Sequence, residues 1–158
     1  MDCPVLHPRK CKVKYPQGNL CNCMICSFAS CLYYYGFKSE ADTIIRCAGD
    51  LYQTNKIFSS LHNVVAKVCK GYNLVQSKNF SFFDQDKALF ENPTLVMLKE
   101  KNGSCHHAVT VYKNMIFDMS HDYILKRCQQ TLDWTCAPSG FQSVYQSYTF
   151  VKETNLNK

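Results

Sequence analysis

The sequence predicts an α+β fold in which a helical lobe packs on an antiparallel β-sheet. Apolar residues recur at helical spacing up to about residue 70, whereas short apolar runs separated by turn signals recur from residue 94 onward. The chain has 158 residues, 46% of them hydrophobic, which suffices for one compact domain. We expect an irregular basic segment over residues 1–16, a helical half over 17–72, a sheet half over 73–152 and a polar tail over 153–158.

The first helix is predicted over residues 23–35 and is expected to be the central, buried one. Asn22 offers a side-chain oxygen for the N-cap position, and Gly36 offers the left-handed conformation that ends many helices. The apolar residues that repeat at helical spacing are Met24, Ile25, Phe28, Cys31, Leu32 and Tyr35.

Two further helices are expected in the first half. The second begins at Ser39 and carries the apolar residues Ile44 and Ile45. The third is capped by Ser60 and ends before Gly71. Three helices therefore make up the predicted helical lobe.

The second half is predicted to form antiparallel hairpins. Asn102 and Gly103 give the dipeptide typical of a tight hairpin turn, and a second tight turn is expected around Lys113 and Asn114. The predicted elements, in order, are strands over residues 94–98, 106–112 and 115–118, a short helix over about 130–134 and a β-rich tail over 141–151.

The chain contains 11 cysteines, an odd number that excludes a scaffold in which every cysteine is paired. Its first residues are polar and interrupted by prolines, unlike a secretory signal peptide, and no run approaches the roughly 18 apolar residues of a membrane span. We therefore expect reduced thiols, a cytoplasmic or nuclear location and no membrane association. In that setting cysteines serve as core residues, metal ligands or nucleophiles.

Cys23 is the predicted nucleophile. A reactive thiol needs a stabilised thiolate, a base within hydrogen-bond reach and donors for the oxyanion. At the start of the first helix, the positive end of the helix dipole favours the thiolate. Cys26 and Cys31 lie deeper in the same helix and are expected to be core residues, whereas Cys21 remains a rival nucleophile.

The predicted base is His107, near the start of a strand. A turn centred near residues 112–113 places opposite each other positions whose numbers sum to about 225, which pairs His107 with Asp118. The carboxylate can then orient the imidazole and set its tautomer. His106 is the alternative base, and the residue opposite it would be Met119.

Three segments resemble a known family. The run from Gln17 to Cys23 resembles the start of the central helix in papain-like cysteine peptidases, and the His-Ala-Val run at His107 resembles their histidine strand. The Tyr-Tyr-Gly ending at Gly36 is most similar to the bacteriocin-processing (double-glycine leader) peptidases. This resemblance implies a papain-like fold with Gln17 as the oxyanion donor, Cys23 as the nucleophile, His107 as the base and Asp118 as the orienting acid.

The expected function is hydrolysis of a peptide or isopeptide bond in a protein or peptide substrate, through a thioester formed on Cys23. We expect a monomer that needs no cofactor and no metal, and polyprotein processing is one role open to such an enzyme. An alternative is an acyltransferase or transglutaminase-like enzyme that uses the same Cys-His-Asp site.

A non-enzymatic binding module is the other alternative. The formal net charge is +6, and part of the excess lies in the N-terminal segment, where it can contact nucleic acid. A zinc module would draw on thiolate and imidazole ligands near the N-terminus, namely Cys3, His7, Cys11, Cys21, Cys23 and Cys26.

Overall fold

A computed structural model describes residues 5–8, 20–47, 57–77, 91–103, 107–118 and 123–153. Over these residues the chain forms four helices and seven strands. The helices are α1 (Leu20–Tyr35), α2 (Lys38–Arg46), α3 (Ile57–Val68) and α4 (Gln129–Thr135). The strands are β1 (Val5–Pro8), β2 (Tyr72–Gln76), β3 (Thr94–Glu100), β4 (His107–Tyr112), β5 (Met115–Phe117), β6 (Tyr123–Lys126) and β7 (Phe141–Lys152).

The seven strands form one antiparallel sheet in the order β1-β6-β5-β4-β3-β7-β2. The predicted mixture of helices followed by antiparallel strands is therefore confirmed. The hairpin of β3 and β4, the short helix α4 and the C-terminal strand β7 all lie where the sequence predicts them.

Each of the first three helices starts earlier than predicted. α1 begins at Leu20, so Asn22 lies inside the helix and is not its N-cap. Ser39 and Ser60 likewise lie inside α2 and α3. The Ser39 hydroxyl donates a hydrogen bond to the Glu40 carboxylate at 2.7 Å, and the N-cap residue of α2 is Phe37, whose side chain makes no capping hydrogen bond. Residue types that favour caps also occur within the first turn, where composition alone does not separate the two positions.

α1 is the central buried helix, as predicted. Every residue from Met24 to Leu32 is at most 3% exposed, so protein surrounds the helix on all sides. Gly36 ends it with φ +117°, and the Phe37 N–H donates to the Leu32 carbonyl at 2.9 Å. At 16 residues α1 is too short to cross a bilayer, and no other helix within the described ranges is long and apolar enough to do so.

Three strands were not among the predicted elements. β1 lies within residues 1–16, so the prediction that this whole segment is irregular is wrong for Val5–Pro8, which pair with β6. Pro8 fits there because β1 is an edge of the described sheet, where a missing N–H is tolerated. β1, β2 and β6 contain only four or five residues each, too few for alternation to stand out in the sequence.

The sheet carries helices on both faces. α1 covers one face, and the Ser27 hydroxyl lies 3.0 Å from the Thr110 hydroxyl on β4. α4 covers the other face, where Leu132 packs in one cluster with Val96 and Val109. Successive residues of β4 therefore face α1 and α4 in alternation.

Candidate active site

α1 runs alongside β4 in the same direction. Ser27 contacts Thr110, and later along both elements the Tyr35 ring packs edge-on against the Tyr112 ring with 5.0 Å between centroids. The beginning of α1 and the beginning of β4 therefore lie at the same end of the sheet. The first residue of β4 is His107.

The backbone of Cys23 lies in the first turn of α1, as the fourth residue of the helix. Position 23 is one helical turn before Ser27 and so lies on the helix face that contacts β4. Since the helix dipole acts within the first turn, the earlier helix start leaves Cys23 within its reach. Cys21 belongs to the same turn, and Gln17 and His106 lie outside the described residues.

The structure brings His107 and Asp118 together. Nε2 of His107 lies 3.1 Å from Oδ2 of Asp118, and the two side chains are 11% and 0% exposed. Burial strengthens the attraction between a carboxylate and an imidazolium, because water screens it less. The distance is that of an ion pair, although the ring N–H does not point straight at the oxygen.

The predicted hairpin register is wrong by two residues. Tyr112 pairs with Met115, so the turn consists of residues 113 and 114, and Lys113 takes the left-handed conformation with φ +55°. A shift of two residues keeps every side chain on its original face, since side chains alternate with a period of two. His107 and Asp118 therefore share a face as diagonal neighbours and are not directly opposed.

Alternation along β4 places His107 on the face that α4 covers. Thr110 faces α1, whereas Val109 belongs to the cluster under α4. Leu98, which pairs with His107, belongs to that cluster as well. Because His107 is the first residue of β4, its ring lies at the end of the sheet, where α1 also begins. A proton transfer from Cys23 to His107 thus has to pass around the end of β4.

Ser27 and Thr110 are residues that the sequence reasoning missed. Both are fully buried. The contact between their hydroxyl groups sets the position of α1 along the length of β4, and so the position of the residue 23 backbone relative to that strand. A signal for this contact exists in the sequence. A serine one turn after a candidate nucleophile, on a mostly apolar helix, needs a buried hydrogen-bond partner.

Four described cysteines, Cys26, Cys31, Cys69 and Cys136, are buried core residues, and the pKa of three of them is raised. Burial raises the pKa of Cys31 well above its usual value, and burial, assisted by Glu40, raises the pKa of Cys69 to about 12. Burial is also the main reason that the pKa of Cys136 rises to about 11, and the charge of Asp118 adds to it. Because it lies near Asp118, Cys136 is a possible rival to Cys23 as the nucleophile. Its complete burial excludes this role.

These buried thiols predict a loss of stability at alkaline pH. Below about pH 8.5 the thiols are protonated in both the folded and the unfolded chain, and above it the unfolded chain ionises first. Burial raises the pKa of Cys69 to about 12 in the folded chain. Between about pH 8.5 and pH 12 the unfolded chain therefore loses the thiol proton more readily than the folded chain, and the free energy of unfolding falls as the pH rises. Under reducing conditions, the urea midpoint should fall less between about pH 8 and pH 10.5 in Cys69→Ala than in the wild type. Cys47→Ala, at a half-buried position, is the control, and equal falls in all three proteins would contradict the prediction.

Cys128 differs from the buried thiols because its pKa is lowered. Burial alone would raise it, but hydrogen bonds to the side chain and backbone of Thr131 and to the backbone of Gln130, with the charge of Lys126, outweigh burial. Its Sγ lies 3.3 Å from the Thr131 hydroxyl. Cys128 precedes α4, whereas Cys136 follows it at the end near Asp118. Cys128 is therefore a suitable reference thiol, because its reactivity does not depend on His107 and Asp118.

Within the described ranges no group of three or more His, Cys, Asp or Glu side chains is arranged to hold a metal ion. Among the zinc ligands considered above, Cys26 is buried within α1, and Cys3 and Cys11 lie outside the described residues. Neither a protein-family model, nor a curated protein, nor a solved structure matches the chain.

Proposed function

We propose that the chain is a papain-like cysteine peptidase that hydrolyses peptide or isopeptide bonds in a protein substrate. The observation that carries the proposal is the buried contact of His107 with Asp118, at the end of the sheet where α1 begins with Cys23 in its first turn. A thiol, an imidazole and an orienting carboxylate are the groups that thiol acyl transfer requires. The family resemblance adds Gln17 as a donor to the oxyanion.

In the proposed reaction, His107 takes the proton of the Cys23 thiol on Nδ1, because Nε2 faces Asp118. Since α1 and the His107 ring lie on opposite faces of β4, the proposal requires the two groups to meet at the end of the strand, beyond its first residue. The thiolate attacks the scissile carbonyl carbon and forms a C–S bond, while the Gln17 amide and the Cys23 backbone N–H donate to the oxyanion. The C–N bond then breaks, and the imidazolium gives its proton to the leaving amine. The acyl group remains on Cys23 as a thioester.

Hydrolysis of the thioester completes the proposed cycle. His107 takes a proton from a water molecule while the oxygen of that water attacks the thioester carbon. The C–S bond then breaks and releases the carboxylic product and the Cys23 thiolate. Asp118 holds the ring in place throughout and stabilises its charged form. We expect its loss to lower kcat more than it changes KM. The reaction requires a reduced Cys23, which suits the cytoplasm or the nucleus.

Product analysis tests the proposal against its closest rival. The same thioester gives an acyltransferase or transglutaminase-like enzyme when an amine replaces water. We suggest incubating the chain with an unfolded protein substrate, with and without a primary amine, and identifying the products by mass spectrometry. Hydrolysed fragments without the amine support the peptidase, whereas amine adducts without any hydrolysis contradict it.

A binding module makes different predictions. Binding to nucleic acid through the basic N-terminal segment would survive Cys23→Ala and weaken steeply with added salt. A zinc module would lose bound metal when its cysteines are replaced and would show no turnover. Salt-sensitive or metal-dependent binding with no hydrolysis of any substrate would therefore replace the peptidase proposal.

A further inference from the structure

Tyrosine side chains border a small apolar cluster on the face of the sheet that α1 contacts. The cluster consists of Cys31, Met115, Phe117 and Ile124. Tyr112, the last residue of β4, is partly buried and packs against this cluster. Tyr34 lies in the last turn of α1, where its ring centroid is 5.9 Å from that of Phe117, and it is 38% exposed. Large aromatic side chains that stay exposed beside one another are typical of a binding surface.

A row of side chains leads from Tyr112 across two further strands. Tyr112 pairs with Met115, and Met115 pairs with Lys126. Residues that pair across strands point to the same face of a sheet, so all three lie on the face that α1 contacts. Adjacent strands are about 4.8 Å apart, which places the backbone of Lys126 about 10 Å from that of Tyr112. Lys126 is exposed and therefore brings a positive charge to the edge of the apolar cluster.

Lys113 brings a second positive charge to the tyrosine rings. Its ammonium group lies over the Tyr112 ring, 5.2 Å from the centroid, in a cation–π contact. The residue is exposed and holds the left-handed conformation, with φ +55°. Glycine adopts this conformation without strain, whereas lysine does not. The stability of the hairpin therefore does not explain why a lysine occupies the turn.

The two lysines face no acidic residue on their own strands. β4, β5 and β6 contain no aspartate or glutamate, and Asp118 follows β5 at the other end of the sheet. Glu91 precedes β3 and Glu153 follows β7, on the side of β4 that lies away from β6. α2, which follows α1, carries two acidic and two basic residues and so adds no net charge. The surface is therefore aromatic and positively charged.

We propose that this surface, defined by Tyr34, Tyr112, Lys113 and Lys126, binds single-stranded nucleic acid. Bases of a single strand stack on exposed aromatic rings, and lysines beside the rings bind the phosphates that link those bases. The formal net charge of +6 also favours an anionic partner. Carboxylates of an acidic protein pair with lysines but do not stack on tyrosine rings, so nucleic acid fits the surface better. The surface lies at the opposite end of the sheet from Cys23, and its binding is independent of the proposed peptidase.

Fluorescence anisotropy of a labelled strand of about ten thymidines, titrated with the full chain at about 50 mM salt, tests the proposal. We expect Tyr34→Ala to raise Kd about fivefold or more, the effect of losing one stacked base. Lys126→Gln should reduce the slope of log Kd against log salt by about 0.7, the effect of losing one phosphate contact.

Two control variants make these effects specific to the surface. Tyr145→Ala removes a tyrosine on β7 that is 59% exposed. Lys101→Gln removes an exposed lysine in the turn after β3, at the other end of the sheet. Each control should change Kd by less than about twofold, because neither residue belongs to the surface. Surface variants that weaken binding no more than these controls would overturn the proposal.

Lys113→Gly separates binding from folding. It removes the charge and relieves the left-handed strain, so Kd should rise while the urea midpoint does not fall. An unchanged Kd in this variant would contradict the proposal. A duplex that binds as tightly as the single strand would overturn it as well, because paired bases are not open to the rings.

Competition and activity measurements complete the test. If a polyglutamate peptide displaces the strand and Tyr34→Ala binds as well as the wild type, the surface binds acidic proteins and the proposal is wrong. Cys23→Ala should bind the strand as tightly as the wild type. Tight binding that depends on the surface in a chain without turnover would refute the peptidase alone, whereas turnover without such binding would refute this inference alone.

Discussion

Replacing Cys23 with alanine should lower kcat for peptide-bond hydrolysis by ~10⁴-fold or more, because the proposed thioester forms on the Cys23 sulfur. The change removes one sulfur atom in the first turn of α1, and alanine is the residue that α-helices favour most. The far-UV circular dichroism spectrum and the urea midpoint should therefore stay close to those of the wild type. The measurement is the rate of fragment formation from an unfolded protein substrate. Activity that is retained in Cys23→Ala and lost in Cys21→Ala would assign the nucleophile to Cys21.

Two controls make this result specific. Cys47→Ala removes a half-buried thiol after α2, and Cys128→Ala removes the described thiol whose pKa is lowered. Both variants should retain activity within about threefold, because surface changes outside a site usually have small effects. If activity persists in Cys23→Ala and disappears in Cys128→Ala, then Cys128 and not Cys23 is the nucleophile.

Phe150→Ala should produce the largest loss of stability, about 3 to 5 kcal/mol in the free energy of unfolding. Phe150 is fully buried on β7, where its ring stacks on Tyr72 with 4.7 Å between centroids. It also meets Phe37 and Phe28 edge-on at 5.7 and 5.8 Å. Truncation therefore removes buried apolar area, leaves a cavity and breaks ring contacts between the sheet and the helical lobe.

Urea denaturation followed by circular dichroism measures this loss, provided that the m-value stays constant. Tyr145→Ala is the matched control, since Tyr145 lies on the same strand and is 59% exposed. Its effect should remain within about 0.5 kcal/mol. A loss below about 1 kcal/mol for Phe150→Ala would contradict a core organised around this ring.

Periodicity and turn chemistry predicted the elements whose signals are local. α1 is identifiable because its apolar run is long, and Gly36 marks its end. The hairpin between β3 and β4 is identifiable because Gly103 adopts φ +88° and donates its N–H to the Glu100 carbonyl at 2.9 Å. In contrast, β1 pairs only with β6, which lies far from it in the sequence, and no local pattern contains that information.

The hairpin of β4 and β5 shows why the predicted contact between His107 and Asp118 is present although the predicted strand register is wrong. Lys113 adopts a positive φ that glycine, asparagine and aspartate favour, so its side chain gives no signal of where the turn is centred. The error of two residues preserved the face of every side chain, and His107 still meets Asp118.

Other properties of the site depend on three-dimensional packing. Alternation tells which residues of β4 share a face, but contacts in the folded chain, such as those of Ser27 with Thr110 and of Tyr35 with Tyr112, tell which face α1 covers. Glu100 stands between two lysines in the sequence, yet it pairs with Phe141 on β7 and is only 4% exposed. Its burial is a property of the tertiary fold and is not encoded in the residue types of the strand.

The central claim is that Cys23 is a nucleophile activated by His107, and its alkylation rate tests this most directly. The folded chain is treated with iodoacetamide at about pH 6, where an ordinary thiol is almost fully protonated, and the modified cysteines are identified by mass spectrometry over time. We predict that Cys23 reacts at least about tenfold faster than Cys128 and that His107→Ala removes this excess. A Cys23 that reacts no faster than Cys128, or equally fast with and without His107, would contradict the account.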